Sequence, residues 1–376
     1  MACWTVSLNG GPKRVNQAAA AIGSTIYSFG GCCCDNNYIN SELDETFGVH
    51  VLNTSTYRWK RLRTRRLRPS QNRDISPGRD PSSLPYGETP TKRVGHTAVA
   101  YEGKIYLWGG YCTATSIRRT WSVIPSDGDT PPGRTRHTAV VFNDMMIIYG
   151  GRDDHAPTLP NDVWAYNFKT RKWYGMALYG QIPRGRECHT ACVIDGKMYV
   201  FGGVDESDDE LYLDVLNLRE GYWETPEIFG DQPSGRRDPC SWVYQEKMYL
   251  FGGCQQSDEE YLATLHEFDP RTSMWQECKP IGLVGPEGRQ RHCGVIVGSR
   301  AFIFSGLASI ITLDSNFGFG CLIEICDLHV LNYDWKLKEL SAHAIMRYGL
   351  IKDAFNVIPA DLSYYLRMMT LPNYTM

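Results

Sequence analysis

Ile105-Tyr-Leu-Trp-Gly-Gly110 carries a pattern that returns along the whole chain. Tyr27-Ser-Phe-Gly-Gly31, Ile148-Tyr-Gly-Gly151, Tyr199-Val-Phe-Gly-Gly203 and Tyr249-Leu-Phe-Gly-Gly253 repeat it, and Phe302-Ile-Phe-Ser-Gly306 is a degenerate sixth copy. A tryptophan follows four of the double glycines by 20–28 residues: Trp59, Trp173, Trp223 and Trp275. From Gly110 onward the copies lie 41–53 residues apart. Units of about 50 residues built from short apolar strands are the signature of propeller blades. The glycines end a bulky strand where the backbone must turn sharply or approach a neighbour closely.

A blade also opens in a fixed way, as Arg186-Glu-Cys-His189 shows ahead of Tyr199–Gly203, Leu211-Tyr-Leu-Asp-Val-Leu-Asn217 and Trp223. This combination resembles the kelch repeat, and the resemblance runs over residues 4–335. It implies an all-β, six-bladed kelch β-propeller spanning 1–335, with a short α-helical tail over 336–376. Trp4-Thr-Val has the character of a blade's last strand, so the N-terminus is expected to close the ring in the last blade. The 11 residues from Gly110 to Trp121, against 20–22 in the next three repeats, leave the second blade short of a strand. Conversely, 34 residues separate Trp59 from Arg93, where other repeats use 10–14. The excess, about 61–90, is basic and rich in Pro, Ser and Arg, and reads as a disordered insertion.

Composition limits the function classes. The net charge of −3 on 376 residues gives no mandate for nucleic acid. No apolar run reaches the ~18 residues that span a bilayer. Met-Ala-Cys-Trp lacks a signal-peptide pattern, so the 13 cysteines are expected as free thiols in the cytoplasm or nucleus. Cys32-Cys33-Cys34 has the wrong spacing for a zinc site and reads as small loop residues. No hydrolase triad, phosphate loop or copper set is present, so neither catalysis nor a cofactor is expected.

One arginine opens each repeat: Arg14, Arg93, Arg134, Arg186, Arg236 and Arg289. Three residues on stands His96, His137, His189 or His292, with Gln17 and Pro239 in the other two repeats. Ring-related histidines lie too far apart to share a metal, so they are read as structural. Up-and-down strands bring the loop before strand one and the loop after the double glycine to one face. The six arginines are therefore expected to ring one mouth, where planar guanidinium forks suit carboxylates. Arg152 and Tyr111, which directly follow their double glycines, and Arg237 point to the same mouth. The competing reading pairs each arginine with a neighbouring blade or an acidic loop.

After Trp335 the period becomes helical: Leu337, Leu340, Ala344 and Tyr348 form one stripe, and Pro359 suits a helix's first turn ahead of Leu362 and Leu366. Helices are predicted over 337–351 and 359–369. Leu340-Ser-Ala-His-Ala344-Ile-Met-Arg-Tyr348 resembles the box that docks on Elongin C, and Ile358-Pro359-Ala-Asp-Leu362-Ser-Tyr-Tyr-Leu366 resembles a cullin-2 box. Propeller and tail together resemble the kelch substrate receptors of cullin-2 RING ubiquitin ligases. That resemblance implies a non-catalytic subunit that recruits Elongin B/C and cullin-2 and reads the C-terminal degrons of target proteins, often ending in glycine. Such receptors place an arginine after the fourth blade's double glycine; Val204 stands there. The alternatives are two helices that merely cap the propeller, and a scaffold for chromatin, cytoskeletal or signalling partners.

Overall fold

The structure is a computed structural model that describes residues 2–32, 47–62, 93–112, 129–207, 209, 211–255, 260–310, 321–347, 350 and 358–370. The basic stretch expected as an insertion lies outside them from residue 63 on, as does Tyr348.

Strand β1 (Cys3–Asn9) opens the chain. The first blade stacks β2 (Ala18–Ile22), β3 (Thr25–Phe29), β4 (Val49–Asn53) and β5 (Arg58–Leu62) outward from the axis. Next comes a ribbon of β6 (Arg93–Tyr101) and β7 (Lys104–Cys112). The following blade is β8 (Thr138–Phe142), β9 (Met145–Tyr149), β10 (Val163–Asn167) and β11 (Lys172–Gly175). Its neighbour holds β12 (Tyr179–Gly180), β13 (Glu187–Ile194), β14 (Lys197–Val204), β15 (Asp214–Asn217) and β16 (Tyr222–Glu224). Then come β17 (Phe229–Gly230), β18 (Cys240–Tyr244) and β19 (Lys247–Phe251), a small ribbon of β20 (Cys254–Gln255) and β21 (Glu260–Tyr261), and β22 (Leu265–Asp269) with β23 (Met274–Cys278). The last blade uses β24 (Ile281–Gly282), β25 (Cys293–Val297), β26 (Arg300–Phe304) and β29 (Asp327–Asn332), with β27 (Leu307–Ile310) and β28 (Cys321–Glu324) as a side ribbon.

The innermost strands β2, β6, β8, β13, β18 and β25 follow one another around the axis, and β25 returns to β2. Five of these six places hold a sheet of four or five strands. The six blades expected from the repeats are thus corrected to five, because the second place holds only the β6–β7 ribbon among the described residues. The last blade is completed by the start of the chain. β1 pairs antiparallel with β29, setting Trp4 opposite Leu331 and Leu8 opposite Leu328, with a bulge between Trp4 and Val6. The two-residue strand β24 lies along the outside of β1, so this joint is not an open edge.

The tryptophan spacing is an inter-blade packing rule. Trp223 lies 5.0 Å from Tyr149 of the preceding blade, Trp275 5.4 Å from Phe201 and Trp59 5.0 Å from Phe304. Each of these outer-strand indoles therefore seals against the last aromatic of the preceding blade's second strand, just before Gly-Gly or, after Phe304, Ser-Gly, an arrangement typically worth about 0.5–1.5 kcal/mol beyond the buried area. The glycines make this approach possible. Gly150 (φ 63°) sits where a Cβ would come within 2.5 Å of the Arg186 carbonyl, and at Gly151 (φ 92°) it would meet the Thr135 carbonyl at 2.6 Å.

The tail forms α1 (Leu337–Arg347) and α2 (Ala360–Thr370), the first helix ending short of the predicted residue 351. Ala342, Leu366 and Met369 are buried in one cluster with Val6, Leu8, Trp59, Phe304 and Leu328, at the seam between the first and last blades. Glu339 accepts from the Lys336 backbone N–H (2.8 Å) and from the Asn332 amide (3.0 and 3.1 Å), capping α1 and tying it to β29.

Candidate functional site

The arginine ring is a set of latches inside the blades. Each guanidinium sends Nη1 to the carbonyl sixteen residues on: Arg14 to Gly30, Arg93 to Gly109, Arg134 to Gly150, Arg186 to Gly202, Arg236 to Gly252 and Arg289 to Ser305, at 3.1–3.3 Å. Four also grip the next strand. Arg134 holds Asp162 (2.6 and 3.1 Å), Arg289 holds Asp327 (2.6 and 2.7 Å), Arg186 pairs with Asp214, and Arg236 donates to Thr264 (3.0 Å). Burial alone would raise the Asp327 carboxyl, but Arg289 and His329 hold it far below the ordinary carboxylate range. Arg134, Arg186, Arg236 and Arg289 are at most 3 % exposed. Their forks are committed to the blades, with only the Arg186 Nε of these four buried without a hydrogen-bond partner among the described residues, which favours the competing latch reading over contact with a peptide. Arg14 and Arg93 are half-buried in the same latch.

The histidines tie blades together. His137 Nε2 lies 2.8 Å from Thr97 Oγ1, His189 Nε2 2.9 Å from Thr138 Oγ1, and His292 Nε2 3.0 Å from Cys240 Sγ, each on an adjoining inner strand. Burial, aided by the neighbouring arginines, drives His96, His137 and His292 down to about 3 and His189 well below its ordinary value. All four rings are therefore neutral. Among the described residues no group of three His, Cys, Asp or Glu could hold a metal ion.

Between arginine and histidine lies the position that faces the axis. Asn16, Gly95, Arg136, Cys188, Asp238 and Arg291 all adopt left-handed backbone, with φ from 54° to 66°. Their N–H groups donate from blade to blade: Gly95 to Asn16, Arg136 to Gly95, Cys188 to Arg136 and Asp238 to Cys188, at 2.7–3.1 Å. This annulus lines a cavity of about 130 Å³. Non-glycine left-handed residues are uncommon, and here the inter-blade bonds hold them.

The mouth above the annulus is charged. Glu187 accepts from Arg152 Nε (3.0 Å) and Nη2 (2.6 Å) and, more distantly, from Arg136 (3.4 Å). Asp238 accepts from Arg291 Nε at 3.2 Å. Arg237 is bridged through its backbone to Cys254, and its Nε is buried without a hydrogen-bond partner among the described residues. Four guanidiniums thus gather here with Glu187 and Asp238, while Asp153 and Asp154 line the rim beside Arg152. Arg152 and Arg237 stand where the sequence reading put them, and Tyr111 at the same rim is 53 % exposed. Val204 is buried, paired across the ladder with Glu187. Arg136, Arg291, Glu187 and Asp238 escaped the sequence reading. For Arg136 and Arg291 the signal was the residue just before the histidine, as in Arg134-Thr-Arg136-His137 and Arg289-Gln-Arg291-His292; Asp238 holds the same place before Pro239, and Glu187 directly follows the blade-opening Arg186.

In the tail, Ala344 and Pro359 are exposed, as are Leu337 and Tyr364. Leu366 is fully buried, and Ile358 and Leu362 are partly buried against the same cluster. The expected partner contact of Leu366 is corrected, since its side chain is spent on the propeller and α1.

A ring of Arg-latched sheets, joined by histidines and double glycines around a polar mouth, defines a kelch-repeat propeller. The family model described as the KLHDC2/KLHL20/DRC7 Kelch-repeats domain matches residues 95–306, and this chain belongs to the kelch-repeat family. Within it, the chain is 31 % identical to Kelch domain-containing protein 3 of Homo sapiens, over 98 % of this chain and 96 % of the relative. It is 30 % identical to Kelch domain-containing protein 1 of Homo sapiens over 65 % of this chain and 54 % of the relative. Host cell factor 2 of Homo sapiens matches at 24 % over 48 % of this chain and 23 % of the relative.

Proposed function

We propose that this propeller is the substrate-recognition subunit of a cullin-2 RING ubiquitin ligase, and that its mouth captures the C-terminal carboxylate of a target protein. What supports the reading is the cluster of guanidiniums at the mouth, Arg136, Arg152, Arg237 and Arg291, whose planar forks suit a carboxylate. Arg237 and Arg152 take the part that relatives of this class give to the Val204 position. The outward side of the tail, at Ala344 and Pro359, is the proposed docking face for Elongin B/C and cullin-2.

The burial of Leu366 and Met369 favours a second reading, in which α1 and α2 cap the seam and the propeller is a scaffold outside any ligase. A C-terminal peptide library tests the first reading: wild type should select a terminal motif, and Arg237→Gln should lose it. Selection unchanged by Arg237→Gln would sink the proposed site. Absence of Elongin C from the purified complex would favour the scaffold.

A further inference from the structure

Both ends of the chain meet at the seam between the first and last blades. β1 belongs to the last blade through backbone pairing with β29 and β24, and the chain runs on from it into the first blade. The bulge between Trp4 and Val6 sends the buried side chains of β1 to two sides. Trp4 enters the cluster shared with the preceding blade, 6.3 Å from Phe251. Val6 and Leu8 enter the cluster with Trp59 and Phe304, where α2 lies against β1. Ala342 of α1 and Leu366 of α2 are fully buried there.

A polar bridge crosses the same seam. Arg300, at the start of β26, donates from Nη1 to the Thr54 carbonyl (3.0 Å) and to the Tyr57 hydroxyl (3.1 Å) of the first blade. Its guanidinium carbon lies 5.5 Å from the Phe302 ring centroid and 6.0 Å from that of Tyr57. Tyr365 of α2 stands beside Tyr57, and Lys338 of α1 lies 5.2 Å from the Tyr365 ring centroid. First blade, last blade and both tail helices thus share one set of contacts. The helices depend on it. Each has 11 residues, below the ~12–15 at which a helix holds in water by itself. Their helical form therefore comes from packing Ala342, Leu366 and Met369 on the seam.

We propose that the tail reports ring closure: α1 and α2 stay helical only while β1 completes the last blade. A partner that grips the tail helices therefore engages only a closed propeller. The coupling is reciprocal, so the docked tail holds β1 in place just as β1 holds the tail. Without the tail, Val6 and Leu8 lose the cover of Leu366 and Met369. A strand at a chain end, where fraying concentrates, is then left to backbone pairing and Trp4. The device is the same whichever protein takes the tail, so it stands or falls apart from the ligase reading.

Hydrogen exchange of the whole chain, read by mass spectrometry, tests this with no partner present. Val6→Ala trims a fully buried side chain of β1. It should speed exchange over 337–347 and 360–370 at least about fivefold, the low end of coupling between sites, and leave β13–β16 across the ring unchanged. Leu366→Ala should speed exchange over 3–9 to a similar extent, and Met369→Ala repeats the test should Leu366→Ala not fold. Val200→Ala, equally buried in β14, controls for general destabilisation and should leave both chain ends protected. Tail exchange unmoved by Val6→Ala, β1 exchange unmoved by the tail variants, or the same changes from Val200→Ala would each overturn the proposal.

Discussion

Arg289→Met separates a latch from a ligand contact. Arg289 is fully buried and spends its donors on Asp327 (2.6 and 2.7 Å), the Ser305 carbonyl (3.2 Å) and the Glu287 carbonyl (3.1 Å). Methionine keeps the volume of the stem but strands the Asp327 carboxylate, whose side chain is only 15 % exposed, with His329 as its remaining partner. Removing one member of a buried pair costs about 3–5 kcal/mol, a large part of the ~5–15 kcal/mol that holds a domain together. At the low end of ~2–4 °C per kcal/mol for larger domains, the melting temperature should fall by about 6–10 °C. Calorimetry reads this directly. The control is Arg237→Met, which should melt close to wild type yet lose peptide affinity. A melting temperature for Arg289→Met within about 2 °C of wild type would show that the arginine ring does not hold the blades.

Acid should loosen the ring. His96, His137 and His292 titrate at about 3 in the fold, against 6.5 when unfolded, and His189 is lowered too. The unfolded chain therefore binds protons that the native state refuses, so stability falls as pH drops below 6.5. Between pH 6.5 and 5.5 each ring contributes about 1 kcal/mol of loss, and a urea midpoint that stays flat over that range would contradict it. Trp4→Ala should destabilise the whole propeller by about 3–5 kcal/mol, because Trp4 is buried where the N-terminal strand closes the last blade; unchanged denaturant stability would refute this. Ala344→Asp should abolish co-purification of Elongin C with no change in melting temperature, since Ala344 is exposed; undiminished Elongin C would return the tail to a capping role.

The propeller was legible because its constraints are local and periodic: Gly-Gly where backbones meet, tryptophan where blades seal, arginine sixteen residues before a glycine carbonyl. The same periodicity misled the reading of the arginines. A residue present in every blade serves what every blade needs, whereas the mouth is made by residues that differ between blades, such as Arg136, Glu187, Asp238 and Arg291. In the tail, the helical stripe through Leu362 and Leu366 announced an apolar face but not its partner. Only the fold shows that the seam around Trp59 and Phe304 takes it. Glu339 likewise has its reason in the fold, where it caps α1 at Lys336 and holds Asn332 of β29.

Capture of a chain end by Arg237 and its neighbours is the central claim, and one comparison tests it most directly: a peptide selected from the library, offered as free acid and as C-terminal amide to the same protein in solution. Losing one partner of a desolvated charged hydrogen bond costs about 2–5 kcal/mol, so the amide should bind about 30-fold more weakly or worse. Equal affinity for the two would show that this mouth does not read chain ends.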